Sequence, residues 1–363
     1  MVSSVNITNL MLPEQFLLSS YSFDLDSSRI AQNPAFRRVD SKLLNGMSND
    51  LQDCFFSQLP SLIQEVFPQG VLFVTNNTEV LRARLMGRKV SGGKVEALLF
   101  ESKEDSLWKG LFKPGRRLHV GTEIHFNSDN YGVIEEKHAD GTMTMRWHGK
   151  DSVLNFMQNN GILPLPPYIQ NFEGDPQRYQ TVYAKVPGAS AAPTAGLHFN
   201  QEIMAELRNL GCDFTELTLH VGPGTFKPIE QKDIRNYEIH GEWIDVPADC
   251  IRKVSSARAK CQPVVCVGTT ALRSLEAVQR LNGLKQPWQG ITSIYIYPGQ
   301  DIKSCDYLLT NFHLPFSSLL VLVAAFTGFD LYKRIYNHAL AREYRFFSFG
   351  DCMLLKNNSG LDL

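Results

Sequence analysis

The chain has 363 residues, of which 43% are hydrophobic and 20% are charged, and its formal net charge is −1. This composition is typical of a folded globular protein and excludes a disordered chain. A net charge this small gives the whole molecule no preference for nucleic acid or membranes, so an anionic partner has to be bound by a local basic patch. The length favours two domains over a single core.

Between about Leu85 and Trp147, short apolar segments alternate with turn signals such as Gly92-Gly93 and Asp140-Gly141. We expect strands at Lys94–Phe100, Leu107–Phe112, Glu123–Phe126, Tyr131–Glu135 and Thr142–Trp147. No helical pattern lies between them, which predicts a small β-barrel or sandwich. The proline-rich run Leu163–Pro167 then indicates a stiff linker.

Strands alternate with helices in the rest of the chain. The elements we expect are a helix capped by Asn200 and ended by Gly211, a strand at Phe214–Val221, a strand at Val264–Val267 followed by a helix through Ala277, a strand at Ile291–Tyr297 and a helix at Ser317–Thr327. The predicted class is therefore α/β: a discontinuous α/β main domain (1–80 and 165–363) with an inserted all-β barrel domain (81–164).

The cysteines and the apolar runs bear on location. Seven cysteines, an odd number with no C-x-x-C pair, argue against a disulfide framework or a structural zinc site. No Lys or Arg precedes Arg29, so a secretory signal lacks its charged start. The longest apolar run, Leu319 to Phe326, is much shorter than the ~20 residues of a membrane span. We therefore expect a cytoplasmic protein without a metal site or a membrane segment.

Three histidines, His198, His220 and His313, each lie in an apolar run close to Gly or Pro. Glycine permits close backbone approach to a ligand and proline stiffens a loop, so the pattern suggests that the three share one cleft. For any single histidine a hydrogen-bonded structural role is the more common one. His240 and Glu242 alternate, which would place them on one face of a strand as an acid/base pair or as a structural pair.

The turn Gly268-Thr269-Thr270 joins an apolar strand to a helix, and such a helix start suits a carboxylate or phosphate. The alternative is an ordinary capped helix, with Arg273 and Glu276 as a routine surface pair. Gly222 and Gly224 begin a G-x-G pattern that Lys227 leaves incomplete, so a dinucleotide-type loop is not present.

The segment from Arg82 to Arg117 contains ten Lys or Arg side chains against four Asp or Glu. A basic, strand-rich module suits contact with a phosphate backbone, although a solvated sheet face has the same composition.

Six motifs occur together and in order: RYQTVYAK (178–185), APTAGLHF (192–199), LHVGPGTF (219–226), VGTT (267–270), LLTNFHLP (308–315) and YRFFSFGD (344–351). By these motifs the chain resembles the S-adenosylmethionine:tRNA ribosyltransferase-isomerase family of queuosine biosynthesis. The resemblance runs from about Tyr21 to Leu354. It implies an α/β domain with an inserted β-barrel, in agreement with the elements above.

The resemblance also implies an activity. The enzyme would attach the ribosyl group of S-adenosylmethionine to 7-aminomethyl-7-deazaguanine at the tRNA wobble position and isomerise it, giving epoxyqueuosine-tRNA with release of adenine and methionine. S-adenosylmethionine would be consumed as the donor, with no further cofactor, and the protein would act as a monomer. A paralogue that binds tRNA or S-adenosylmethionine without turnover is the alternative. A methyltransferase is disfavoured because the Gly-rich loop is absent.

Because the sulfonium acidifies the hydrogens on the ribose 5′ carbon, the reaction needs a base and polar groups around the ribose. The candidate catalytic residues are His198, His220, His313, His240 and Glu242. The candidate substrate-binding residues are Thr194, Gly196, Gly222, Gly224, Thr225, Thr269, Thr270, Arg273 and Asn311. The candidate tRNA-binding residues are Arg82, Arg84, Arg88, Lys113, Arg116 and Arg117.

Three positions depart from the family's usual pattern. Glu79 stands in place of an arginine, although Arg82 lies nearby; Phe316 stands in place of a lysine, and Tyr237 in place of a histidine. If the usual residues contact substrate or phosphate, these departures favour the impaired paralogue.

Overall fold

The computed structural model describes residues 12–166, 168–170, 172–222 and 227–359. Within them the helices are α1 Leu59–Val66, α2 Val153–Asn160, α3 Gln201–Asn209, α4 Ala248–Ala259, α5 Thr269–Asn282, α6 Ser318–Thr327 and α7 Phe329–Ala341. None of these helices is long and apolar enough to span a membrane.

A nine-stranded mixed sheet organises the α/β part. Its strands are β1 Lys42–Gly46, β2 Gln52–Phe55, β3 Leu72–Asn76, β12 Asp213–Leu219, β13 Glu242–Val246, β14 Val264–Val267, β15 Trp288–Thr292, β16 Tyr307–Asn311 and β17 Cys352–Lys356. They lie in the order β15-β13-β12-β3-β14-β16-β17-β1-β2. The four central strands β12, β3, β14 and β16 are mutually parallel, and their carboxyl ends meet at one edge. In parallel α/β sheets such an edge is where ligands bind.

A closed barrel forms the second body of strands. It contains β5 Arg84–Lys89, β6 Lys94–Glu104, β7 Leu107–Lys113, β8 Glu123–His125, β9 Asn130–Lys137 and β10 Met143–Gly149. The predicted α/β class with an all-β barrel is confirmed. Two elements were not predicted: β5, whose buried and more exposed residues alternate, and α2, which packs Phe156 against Trp147. The domain boundaries at 80/81 and 164/165 stay a prediction.

Several predicted elements are confirmed by the structure. Asn200 caps α3 by accepting a hydrogen bond from the Ile203 N–H at 2.9 Å, and Val264–Val267 is a fully buried strand. Ser317 caps α6 in the same way. The strand predicted at Ile291–Tyr297 is wrong: pairing with β13 selects Trp288–Thr292 instead, and the chain leaves the sheet after Thr292.

The predicted linker packs onto the main body rather than standing free. Leu163 is 9% exposed and shares a core cluster with Ile169, Tyr179 and Phe349. Pro167, the last residue of the predicted run, lies outside the described residues. A short parallel pair, β4 Thr78–Val80 with β11 Val186–Ala189, lies in the same region of the fold.

Asn76, at the carboxyl end of β3, fixes the neighbouring strand end from its side chain. Its Nδ2 donates to the Leu219 carbonyl at 3.0 Å, and its Oδ1 accepts from the N–H groups of Leu219 at 3.0 Å and Thr78 at 3.1 Å. The residue is fully buried. This amide therefore sets where β12 ends and where the chain turns into β4.

We expect Asn76→Leu, which keeps the volume, to destabilise the protein. It leaves two N–H groups and one carbonyl buried without partners, at about 1–3 kcal/mol each, so the free energy of unfolding should fall by about 3 kcal/mol or more. Urea denaturation measures this change. The matched control Asn209→Leu, at the exposed end of α3, should stay within about 0.5 kcal/mol of the parent. Equal losses in the two variants would contradict the assigned role.

Candidate active site

A small cavity lies at the carboxyl edge of β12, β14 and β16. Its volume is about 50 Å³. It is lined by Ala192, Pro193, Thr194, Ala195, Val221, Gly268, Thr269, Thr270, Arg273, Thr310, Asn311, His313, Leu319, Phe347 and Ser348. Five of the predicted substrate-binding residues thus come together here: Thr194, Thr269, Thr270, Arg273 and Asn311.

The turn before α5 is built to leave backbone donors free. Gly268 has φ +89°, a conformation that favours glycine, and it caps the helix without a side-chain hydrogen bond. The first N–H groups of an α-helix have no partner within the helix. Together with the helix dipole, they make this edge of the cavity attractive to an anion.

Arg273 and Glu276 are not the surface pair that local spacing allowed. Both are buried, at 2% and 1% exposure, and each is paired elsewhere. Glu276 accepts hydrogen bonds from the backbone N–H groups of Lys303 and Ser304 at 3.0 Å and from Arg280 at 2.9 Å. Arg273 forms a buried ion pair with Glu242, because α5 packs against β13.

This ion pair changes the interpretation of Glu242. Its Oε2 accepts from Arg273 Nη1, while its Oε1 accepts from the Gly222 N–H at 3.2 Å. The guanidinium is also fixed by a hydrogen bond from Nε to the Ile294 carbonyl at 3.3 Å. Glu242 does not line the cavity. The geometry therefore favours a role in orienting Arg273 over the predicted role as acid or base.

Three buried polar atoms on cavity-lining residues have no hydrogen-bond partner among the described residues: Thr270 Oγ1, Arg273 Nη2 and Asn311 Oδ1. Buried polar groups in proteins are nearly always hydrogen-bonded, so each such group needs an explanation. One cationic donor, one hydroxyl and one carbonyl acceptor around one cavity fit a polar ligand that carries a negative group.

His313 is the candidate catalytic histidine that lines the cavity. Its Nε2 lies 3.1 Å from Thr310 Oγ1, and its backbone N–H donates to Tyr336 Oη at 3.0 Å. Burial lowers the pKa of His313 to about 3. The imidazole is therefore neutral at neutral pH, which is the form that can accept a proton.

His198 lies behind the cavity wall. Its ring stacks on Phe56 with centroids 5.4 Å apart, and its Nε2 lies 3.2 Å from Asn311 Nδ2. Burial, with smaller contributions from Arg345 and Arg38, lowers the pKa of His198 to about 3. Asn311 Nδ2 also donates to the Phe347 carbonyl at 3.1 Å. His198 is thus placed to orient Asn311, whose free oxygen belongs to the cavity.

His220 does not line this cavity. Its Nδ1 lies 2.8 Å from Thr78 Oγ1, and its ring stacks on Trp243 with centroids 5.0 Å apart. Burial lowers the pKa of His220 to about 4. The common cleft expected for the three histidines therefore holds His313 directly and His198 through Asn311, but not His220.

The remaining candidates lie beside the cavity or outside the described residues. His240 precedes β13 rather than lying in it, and its Nε2 is 3.9 Å from Glu242 Oε1. Burial lowers the pKa of His240, and the charge of Glu242 opposes that shift. Gly196 packs under Tyr183, where a Cβ atom would collide with the phenol. Gly222 contributes its N–H to Glu242. Gly224 and Thr225 fall outside the described residues.

The predicted tRNA-binding residues lie on the barrel and at its start. Arg82, Arg88, Lys113, Arg116 and Arg117 are exposed. Arg84 differs, because it is half-buried and pairs with Glu96 at 3.5 Å. Arg116 and Arg117 lie in a short 3₁₀ turn at Gly115–Arg117. The described residues contain no cluster of three or more His, Cys, Asp or Glu side chains suited to a metal ion.

Comparison with known proteins identifies the family. Residues 18–355 match the family described as queuosine biosynthesis protein. Proteins named S-adenosylmethionine:tRNA ribosyltransferase-isomerase are 42% identical in Natranaerobius thermophilus (94% of this chain, 99% of that protein) and in Thermosynechococcus vestitus (94% and 97%). A crystal structure of S-adenosylmethionine tRNA ribosyltransferase from Thermotoga maritima covers 93% of this chain and 99% of its own, with a TM-score of 0.54 at 32% identity. The chain belongs to this family.

Membership in the ribosyltransferase-isomerase family favours an active enzyme over the impaired paralogue, and the three sequence departures do not oppose it. Glu79 lies on β4 opposite Pro187. Phe316 has φ +59°, and its backbone bonds to Tyr21 and Ile229 at 3.0 and 2.8 Å. Tyr237 packs edge-on against a tyrosine ring. None of the three lines the cavity.

The sequence analysis missed several residues that line the cavity, notably Thr310, Phe347 and Ser348. Two of them lie in the YRFFSFGD motif (344–351) that had indicated the family, and Thr310 lies in LLTNFHLP (308–315). Phe347 has φ +74°, which no pattern in the sequence reveals. Inclusion of every polar residue of those motifs would have found Thr310 and Ser348.

The buried neutral histidines predict an acid-sensitive stability. In the unfolded chain a histidine titrates near ~6.5, so below that pH the unfolded state binds protons that folded His198, His313 and His220 do not bind. The free energy of unfolding should therefore be fully retained above pH ~6.5. It should fall by up to about 1.4 kcal/mol per pH unit for each such histidine as the pH falls towards their folded values.

Urea denaturation of the parent and of His313→Gln between pH 7 and pH 5 measures this slope. The variant should lose the contribution of one histidine, so its slope between pH 7 and pH 5 should be smaller than the parent's. An unchanged slope in His313→Gln would show that the pKa of His313 is the same in the folded and the unfolded protein.

Proposed function

We propose that the protein transfers the ribosyl group of S-adenosylmethionine to 7-aminomethyl-7-deazaguanine at the wobble position of a tRNA and isomerises it, giving epoxyqueuosine-tRNA, adenine and methionine. S-adenosylmethionine is consumed, and no further cofactor takes part. The observation that carries the proposal is the full-length family match on a chain whose cavity combines an unpaired cationic donor with a neutral buried imidazole. We further propose that the enzyme acts as a monomer in the cytoplasm, which agrees with its seven free thiols.

The methionine carboxylate is assigned to the start of α5. Arg273 Nη2, Thr270 Oγ1 and the free N–H groups of the first helical turn are the donors that a carboxylate requires. Glu242 holds the Arg273 guanidinium in place. It accepts a hydrogen bond from Nη1, and Nη2 stays available to donate to the substrate.

His313 is assigned as the base that removes a ribose 5′ hydrogen. The adjacent sulfonium stabilises the carbanion as an ylide, and burial keeps the imidazole neutral, with a lone pair for the proton, although the lowered pKa makes it a weak base. Asn311, oriented by His198, offers its Oδ1 to a hydroxyl or amino group of the substrate. These roles require the ribose to lie between β16 and the start of α5.

The cavity of about 50 Å³ accommodates only one end of this substrate. Pockets for ligands of drug size occupy roughly 300–1,000 Å³. We therefore expect the adenosine part to extend beyond this cavity.

Incubation with S-adenosylmethionine and an anticodon stem-loop bearing the deazaguanine tests the activity. Chromatography should detect free adenine and methionine together with a modified nucleoside. Binding without adenine release would support the impaired paralogue, and free S-adenosylhomocysteine would indicate methyl transfer. His313→Ala should lower kcat by roughly 100-fold or more, since general-base catalysis contributes about 10²–10⁴-fold. His338→Ala, remote from the cavity beside Asp53, should not lower it.

The carboxylate assignment predicts a selective loss in Arg273→Ala. Calorimetry should show that the parent binds S-adenosylmethionine more tightly than decarboxylated S-adenosylmethionine, by about 1.5–3 kcal/mol for a charge-assisted hydrogen bond. In Arg273→Ala the two ligands should bind alike. A variant that weakens both ligands equally, and keeps the difference between them, would place the carboxylate elsewhere.

The basic barrel predicts a salt-dependent contact with RNA. Replacement of Arg116 and Arg117 by Gln should weaken tRNA binding and reduce the slope of log affinity against log salt by up to about 2, since each phosphate contact contributes about 0.7–0.9. Affinity for S-adenosylmethionine should stay unchanged. If both the affinity for tRNA and the slope equal those of the parent, these arginines are only part of a solvated surface.

A further inference from the structure

The most exposed large apolar side chain among the described residues is Phe36, at 92%. It lies in the main body, on the loop before the short 3₁₀ helix Arg38–Asp40. Arg178 fixes the backbone of this loop, because it donates to the Ala35 carbonyl at 2.8 Å and to the Phe36 carbonyl at 3.0 Å. An aromatic ring that is exposed to solvent on a fixed backbone can stack against a planar group of a binding partner.

The Phe36 loop is connected to the cavity through Arg38. The Arg38 guanidinium donates to the Leu197 carbonyl at 2.9 Å, within the turn Thr194–His198 that supplies Thr194 and Ala195 to the cavity wall. The same guanidinium donates to the Gln180 carbonyl at 2.9 Å. The Phe36 loop is therefore hydrogen-bonded, through Arg38, to the turn that forms one wall of the candidate active site.

Two positively charged side chains, Arg38 and Arg178, lie in the same region as the Phe36 ring. Arg38 and Arg178 donate to backbone carbonyls, and within the described part of the chain neither forms an ion pair with a carboxylate. Burial, and then the neighbouring Arg178, lower the pKa of Arg38 to about 10, so it stays charged at neutral pH. Arg37 next to Phe36 is balanced by Asp40. Asp175 offsets part of the charge of Arg38, but neither guanidinium has an ion-pair partner among the described residues, and two such groups below an exposed ring match a phosphate below an unpaired base.

We propose that Phe36 stacks on an unpaired base that neighbours the wobble base of the bound tRNA, with Arg38 and Arg178 attracting its backbone phosphates. This inference rests on the proposed function. A base that turns into the cavity leaves its stack, which costs a few kcal/mol, and its neighbour loses a stacking partner. The Phe36 ring replaces that partner, and stacking on aromatic rings is the usual way in which single-stranded RNA is held. A protein partner fits less well, because one isolated ring is not a contiguous apolar patch.

Binding of a stem-loop labelled with 2-aminopurine, placed in turn on the 5′ and 3′ side of the wobble base, tests the proposal. On the parent protein one of the two labels should be quenched by stacking. Phe36→Ala should abolish that quench and weaken RNA affinity roughly 5- to 150-fold, the range for loss of one base–aromatic stack. Phe36→Trp should retain both the quench and the affinity, whereas Phe36→Leu, apolar without a ring face, should behave like the alanine variant.

Phe55→Ala is the matched control, since Phe55 is also an exposed aromatic residue (52%) but lies on the edge strand β2. It should leave the quench and the RNA affinity at the parent's values. Affinity for S-adenosylmethionine and the unfolding midpoint should be unchanged in Phe36→Ala, because the ring is exposed. Parent-like RNA binding by Phe36→Ala, with adenine release by the parent intact, would overturn this inference alone and point to a protein partner. A parent that neither binds the stem-loop nor releases adenine would overturn the proposed function with it.

Discussion

The buried ion pair between Glu242 and Arg273 is the constraint on which the site depends. It joins β13 to α5, and both side chains are almost completely removed from water. Removal of one partner from such a pair leaves an uncompensated buried charge and costs about 3–5 kcal/mol. The pair is therefore poor evidence for extra stability, but it holds the guanidinium of a cavity-lining residue through Nη1 and leaves Nη2 without a partner among the described residues. Gly222 and Ile294, which bond to the two partners, transmit this geometry to the loops on either side.

Burial affects two polar groups around the cavity, His313 and Arg273, in different ways. It keeps His313 neutral, because an imidazolium would lose its hydration with no carboxylate to replace it. It also strengthens the interaction of an arriving anion with Arg273, because few water molecules screen it. One environment thus supplies a proton acceptor and a strong anchor for a carboxylate. A solvated site with the same residues would bind the anion weakly and would leave the histidine partly protonated.

Sequence patterns predicted local features well and long-range partnerships poorly. The Asn200 cap, the strand at Val264–Val267 and the glycine turn before α5 follow from rules that act within a few residues. The partners Glu242 and Arg273 lie 31 positions apart, and local spacing instead paired Arg273 with Glu276. His220 and His313 have similar flanking residues, but the direction of each ring is decided by Thr78 and Thr310. Such contacts are fixed by the packing of separate elements, which periodicity does not encode.

The connection between the cavity and the barrel runs through one glutamine. The Gln180 carbonyl accepts a hydrogen bond from Arg38. The Gln180 side chain accepts from the Val80 N–H at 3.1 Å and donates to the Val80 carbonyl at 2.8 Å. Val80 ends β4, two residues before Arg82 and the start of the barrel. Gln180 thus bonds directly to Arg38 and Val80, and Arg38 bonds in turn to the Leu197 carbonyl, so these contacts join the Phe36 loop, the turn Thr194–His198 and the root of the barrel. An RNA that contacts both the barrel and Phe36 would therefore lie at both ends of the hydrogen-bonded series that holds the turn Thr194–His198 of the cavity wall.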